Sequence, residues 1–166
     1  TVCWVLDICN AKVNDSCGFH VHMDAASFNL DTWKNLALTY KHLEHLIDAF
    51  MPRTRRNNTY CKTLSGVSDE RIKSVRTIDG LRGVFNNDRY HKVNFEAYSR
   101  HRTVEFRQHS GTTNFTKMEN WIRFLNGLIT FAKRSSLPSR MTLEELPFLD
   151  GKQKLFFKLR TKKLAV

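Results

Sequence analysis

Two short stretches of this 166-residue chain set reactive side chains two positions apart: His20-x-His22-x-Asp24 and Glu105-x-Arg107-x-His109. On an extended backbone, alternate residues share a face about 7 Å apart, so each stretch can aim its polar groups at one ligand. Imidazoles and carboxylates bind divalent cations. A carboxylate beside a guanidinium suits a site that must hold Mg²⁺ and clamp phosphate oxygens together. Taken singly, each stretch has a plainer reading: a solvated strand face for the first, and for the second a surface ion pair worth about 0–1 kcal/mol. Placed in one sheet, the two faces become a candidate site.

Other chemistries fail on residue type. A zinc hydrolase of the HxHxDH pattern needs a His after Asp24, where Ala25 stands. Cys17 lies in a turn, with nothing nearby to mark it as a nucleophile rather than a small buried hydrophobe. Ser110-Gly111-Thr112-Thr113 leads into a helix whose N-terminus attracts anions, but it is too short and irregular for a P-loop, and no GxxxxGK[ST] occurs.

The elements that must position these residues follow from periodicity. In Gly18–Asp24 the alternation places Phe19, Val21 and Met23 on one face and His20, His22 and Asp24 on the other. Thr103–His109 likewise turns Val104 and Phe106 to the core and Glu105, Arg107 and His109 away from it. His91–Glu96 is a third alternating run, expected to pair with the second as a hairpin through a polar link around Ser99–Arg102. Trp33, Leu36, Ala37, Tyr40, Leu43, Ile47 and Phe50 predict a helix starting at an Asp31 cap and stopped by Pro52. Thr116-x-x-Glu119 has the form of a capping box for a second helix through Ala132. Residues 2–13 read as the end of an amphipathic helix broken at Asn14–Gly18, residues 142–146 as a short capped helix, and residues 152–163 as a basic amphipathic end. Residues 53–88 have no clear pattern.

Length and composition fit one compact domain, with 41% hydrophobic residues and twelve Phe. The chain opens on Thr1 with helical spacing already running, so the natural start is expected upstream. No signal peptide and no membrane span is visible, since Asp7, Asn10 and Lys12 interrupt the first apolar run. Cys3, Cys9, Cys17 and Cys61 form no CxxC pair, which predicts reduced thiols in an intracellular, cytoplasmic protein. The net charge of +11 is uneven: residues 133–166 hold nine Lys and Arg against Glu144, Glu145 and Asp150. A tail of this kind attracts polyanions such as nucleic acid, or simply keeps the protein soluble.

The segments Cys17–Asp24, Pro52-Arg53-Thr54-Arg55-Arg56-Asn57-Asn58-x-Tyr60, Arg89-Tyr90-x-x-Val93-Asn94 and Thr103-Val104-Glu105-Phe106-Arg107-x-His109-x-Gly111-Thr112 resemble, in order, the motifs of the amidoligase family. That family belongs to the glutamine-synthetase-like carboxylate-amine ligases, and the resemblance covers about residues 1–132. It implies an α+β fold, an antiparallel sheet with helices packed on one face, lacking the N-terminal strands that carry Glu-x-Glu in these enzymes. By this likeness residues 1–134 form the C-terminal part of the ligase domain and residues 135–166 a basic extension.

The resemblance also implies chemistry. His20 and Glu105 would share one Mg²⁺ or Mn²⁺, and His22 would sit near the ATP phosphates. Arg107, Arg89 and Arg55 would hold the transferred phosphoryl group. The implied reaction is ATP-dependent activation of a carboxylate to an acyl phosphate and its capture by an amine, with both substrates unidentified. The alternative is a non-catalytic descendant that binds nucleic acid or a ribonucleoprotein through its basic surface.

Overall fold

The computed structural model describes residues 1–165. Three strands, β1 (Val21–Asp24), β2 (Val93–Asn94) and β3 (Thr103–Phe106), form an antiparallel sheet in the order β1-β3-β2. Seven α-helices are found among the described residues: α1 (Val2–Ile8), α2 (Leu30–Ala49), α3 (Asp69–Ser74), α4 (Ile78–Val84), α5 (Ala97–His101), α6 (Phe115–Ala132) and α7 (Gly151–Leu164). The fold is therefore α+β, with a small sheet and a larger helical share. Among the described residues, no helix is long and apolar enough to cross a membrane.

The pairing puts Val21, Phe106 and Val93 in one row and His22, Glu105 and Asn94 in the next. Because side chains alternate across a sheet, the first row faces inward and the second outward. Inside, Tyr40 of α2 lies 5.9 Å from Phe106, ring centre to ring centre. Trp33, Leu36, Tyr40, Leu43 and Ile47 recur every three or four residues along α2 and are all buried, at about 1.5–3 kcal/mol for each large side chain. Beyond α2, Phe50, Trp121 and Phe124 form an aromatic cluster.

α7 joins that cluster. The Phe157 ring lies tilted against that of Phe50 with centres 4.5 Å apart, and Arg160 Nε donates to the Phe50 carbonyl at 2.8 Å. The segment before α7 is tied to α2 as well: Thr39 Oγ1 accepts from the Leu137 N–H, and His42 and His45 pair with the carbonyls of Leu137 and Met141. The basic end is less amphipathic than its spacing predicts, since only Gln153 and Phe157 are buried while Leu155 and Leu159 are exposed.

Several local expectations are corrected. The cap of α2 is Asn29, whose Oδ1 accepts from the Thr32 N–H at 2.8 Å, and Asp31 sits in the first turn where the helix dipole favours an acid. Asn114 caps α6 in place of Thr116, and Glu119 pairs instead with Arg123 one turn on. The first helix ends at Ile8 and buries none of its residues. The link between β2 and β3 is the short helix α5, closed by Arg102 in the left-handed conformation. The box at Thr142 and Glu145 forms as expected, on a single 3₁₀ turn.

Candidate functional site

Glu105 is the centre of the outward row. It sits in mid-β3, the central strand, paired across to His22 on one side and Asn94 on the other, and is 5% exposed. Its Oε1 receives a hydrogen bond from Arg107 Nη1 at 2.9 Å, lies 3.2 Å from His20 Nδ1 and 3.7 Å from His22 Nε2. Its Oε2 accepts from Asn94 Nδ2 at 2.6 Å. Asn94 has no freedom to turn around, because its own Oδ1 accepts from the Glu96 N–H at 2.9 Å.

Burial raises the affinity of Glu105 for a proton, but the hydrogen bonds from His20 and Asn94 and the charge of Arg107 outweigh it and hold the carboxyl at about 2. At neutral pH the centre of the site is thus a fixed carboxylate. His22 is anchored by a 2.8 Å contact between Nδ1 and the Thr103 hydroxyl, so its Nε2 stays aimed at Glu105. Arg107 is buried and braced from behind, with Nε donating to the Tyr60 carbonyl at 3.3 Å and the Tyr90 ring 5.5 Å from its guanidinium.

Two glycines explain why the sequence reads as it does. A Cβ on Gly18 would stand 2.6 Å from His20 Nε2 and 3.1 Å from Arg55 Nη2. The absence of a side chain there lets the His20 ring fold back over the chain. A Cβ on Gly111 would stand 2.5 Å from the Cys17 Cβ and 3.1 Å from its carbonyl oxygen. Gly111 thus admits the close crossing of the segment that precedes β1.

That crossing contains a β-bulge. Val21 pairs with Phe106, but the next bridge joins Gly18 to Ser110, three residues back on one strand and four forward on the other. One residue is extra on the β3 side, and the alternation of faces breaks there. Arg107 still faces the site, whereas His109 does not join Glu105 and Arg107 as the alternation predicts. It packs inward against Phe19 and Trp121, each with ring centres 5.7 Å away, and burial pushes its imidazole down to about 4.

The other expected residues separate. Arg89 borders the same cleft as Glu105 and His22, with its guanidinium 5.5 Å from the Tyr90 ring that also braces Arg107. Arg55 is buried, and its guanidinium donates to the carbonyls of Arg107 and Gln108, which places it behind the strand as a brace for the bulge. Asp24 is exposed and accepts from the Ala26 N–H at 3.1 Å, apart from the convergence on Glu105.

Sequence reasoning gave no role to three residues at the site: Asn94, although it stands in one of the motifs quoted above, Arg100 and His101. The last two line the cleft from α5. The only sign of them was a polar link rich in Arg and His, which reads equally well as a plain hairpin loop.

Among the described residues, no three His, Cys, Asp or Glu side chains are arranged to hold a metal ion. The donors that do meet are His20 Nδ1 and Glu105 Oε1. Two protein donors suit a cation that takes its remaining ligands from phosphates and water, as Mg²⁺ usually does, and imidazole suits Mn²⁺ as well. The pair therefore fits such an ion as a partial site.

A family profile described as "Putative amidoligase enzyme" matches residues 4–129, about three quarters of the chain, and that span holds every residue of the candidate site. No curated protein and no solved structure gave a match.

Proposed function

The chain belongs to the amidoligase family, and from that premise we propose that it carries part of the site of an ATP-dependent carboxylate-amine ligase on a glutamine-synthetase-like fold. The observation that carries this reading is the convergence of His20, His22 and Arg107 on one oxygen of Glu105, on the open face of the sheet. An ionised carboxylate ringed by imidazoles and a braced guanidinium suits phosphoryl transfer. That reaction needs positioning and charge neutralisation and no side-chain nucleophile.

In the proposed reaction a carboxylate oxygen of the acid attacks the γ-phosphorus of ATP, and ADP leaves. The amine nitrogen then attacks the acyl carbon, inorganic phosphate departs with the C–O bonding pair, and the nitrogen loses a proton. Arg107 and Arg89 hold the oxygens of the transferred phosphoryl group, and His22 faces the nucleotide phosphates. His20 and Glu105 hold Mg²⁺ or Mn²⁺, which when bound supplies neutralisation of phosphate charge. Arg55 acts at one remove, since it fixes the carbonyl of Arg107 and hence the approach of that side chain.

The test is direct. The full-length protein containing this site, given ATP, Mg²⁺, an acid and hydroxylamine in place of the amine, releases ADP and forms a hydroxamate from the acyl phosphate. His20→Ala and Glu105→Ala abolish both products, and turnover unchanged in both variants would overturn the site.

A second reading, binding of nucleic acid or a ribonucleoprotein, is favoured by one feature. Lys117, Arg160 and Lys163 lie near one another across α6 and α7, and among the described residues none of them forms a salt bridge. On this reading RNA affinity falls steeply with salt and is lost on removing residues 152–166. Binding indifferent to both would exclude it.

A further inference from the structure

α7 carries apolar residues on two sides. Phe157 is buried in the aromatic cluster, while Leu155 and Leu159 are each 57% exposed. A helix that closes a core needs only the first set. With about 3.6 residues per turn, Leu155 and Leu159 form one outward ridge, flanked by Lys158 and Lys162 on one side and by Lys152 and Lys163 on the other. All four lysines are exposed. No acid occurs between Gly151 and Leu164. Among the described residues, the one acid paired with any of these lysines is Glu144, 3.5 Å from Lys158 and itself exposed, a contact too solvated to neutralise the face.

Beside the ridge, a cleft of about 290 Å³ opens between α7, the end of α2 and residues 142–144. Leu46, Ala49, Phe50 and Leu143 give it an apolar wall, and Lys158 and Lys162 line it as well. Cations around an apolar ridge and an apolar cleft complement a partner that is anionic at its surface and hydrocarbon beneath. Nucleic acid meets the charge but leaves the leucines nothing to bury against. An acidic protein needs far more apolar contact than two leucines offer, since a standard interface covers about 800 Å² per partner. A bilayer needs no matched shape. It accepts a helix lying in its plane, with lysines among the headgroups and leucines below them.

We infer that α7 docks the protein on an anionic phospholipid surface, with Leu155 and Leu159 entering the acyl boundary and Lys152, Lys158, Lys162 and Lys163 meeting headgroup charge. α7 lies outside the span matched by the family profile, so this property belongs to the basic extension and does not depend on the ligase reading.

Co-sedimentation of the full-length protein is measured with vesicles of phosphatidylcholine alone and of phosphatidylcholine with about one third phosphatidylserine. The protein binds the second and not the first. Leu155→Gln combined with Leu159→Gln weakens binding at least about tenfold, and Lys158→Gln combined with Lys162→Gln weakens it about thirtyfold. Both double variants melt with the parent because the side chains are exposed. Absent binding to the anionic vesicles, equal binding to both kinds, or binding that ignores the leucines overturns the inference. Single-stranded RNA and polyglutamate stand in for the other occupants. Either one bound more tightly than the anionic vesicles overturns the lipid surface in favour of nucleic acid or of an acidic protein.

Discussion

Two polar clusters flank the central strand, one around Glu105 and one around Lys92, and they are built on opposite terms. Lys92 is 0% exposed, and its ammonium lies 3.2 Å from Glu44 and 2.8 Å from Asp48 of α2. Gln108 donates to Asp48 and accepts from the Tyr40 hydroxyl at 2.7 Å, while Glu44 also accepts from the Leu64 N–H. Every charge there meets an opposite charge or a hydrogen bond, and Tyr40 is pushed well above its ordinary range by burial. The Glu105 cluster likewise sets a buried carboxylate among basic and amide groups but leaves His22, Arg89 and Arg100 facing a cleft. Charge alone does not mark a working site. What marks it is valence left over after the protein's own groups have paired.

The comparison can be broken at either end. The largest effect belongs to the closed cluster: Lys92→Met leaves Glu44 and Asp48 without their cation, and denaturant unfolding should register a loss of about 3–5 kcal/mol. A stability change below about 1 kcal/mol would mean that the cluster is not a structural unit. At the open cluster, Glu105→Ala should lower hydroxamate formation at least about hundredfold, with a smaller change in melting than Lys92→Met causes.

The pH windows should differ as well. His109 has a folded value of about 4, below the usual 6.5, so the unfolded chain binds the extra proton first. Its contribution is whole above about pH 6.5 and is lost as pH falls toward 4, by about 2 kcal/mol between pH 7 and pH 5. His109→Phe should flatten the stability profile in that interval. Glu105 is depressed from 4.5 to about 2, so its share persists above pH 4.5 and disappears only as pH falls from there toward 2. The smallest effect on stability, under about 1 kcal/mol, is expected for Gly18→Ala, because the atom in the way is the far end of the His20 ring. Displacing that ring should still cut turnover about tenfold, which separates the site from the scaffold in a single substitution.

Much of this arrangement is legible in the chain. The apolar rhythm of α2 and α6 and the alternation through His20–His22 and Val104–Phe106 place the helices and the outward row, because burial acts on every residue of a long repeat. The caps are harder to read. Asn29 and Asp31 are both good N-terminal groups two residues apart, and only the backbone angle at Asn29 decides between them. The closed cluster joins residues 44 and 48 to 92 and 108, and no local pattern reports such distant pairing. His109 was misread because Gln108 and His109 suit either face, so an extra residue leaves no trace in the composition of the run. α5 escaped notice because five residues are too few to show a helical period.

The bulge has one further bearing. A continuous ladder can slide by two residues and keep its faces, but one with an extra residue at a single place cannot be shifted without moving that residue as well. Phe19 and Gly18, Ser110 and Gly111 therefore work as a ratchet that sets the phase between the two halves of the site. Length changes between residues 107 and 110 should prove far less tolerable than changes of residue type there.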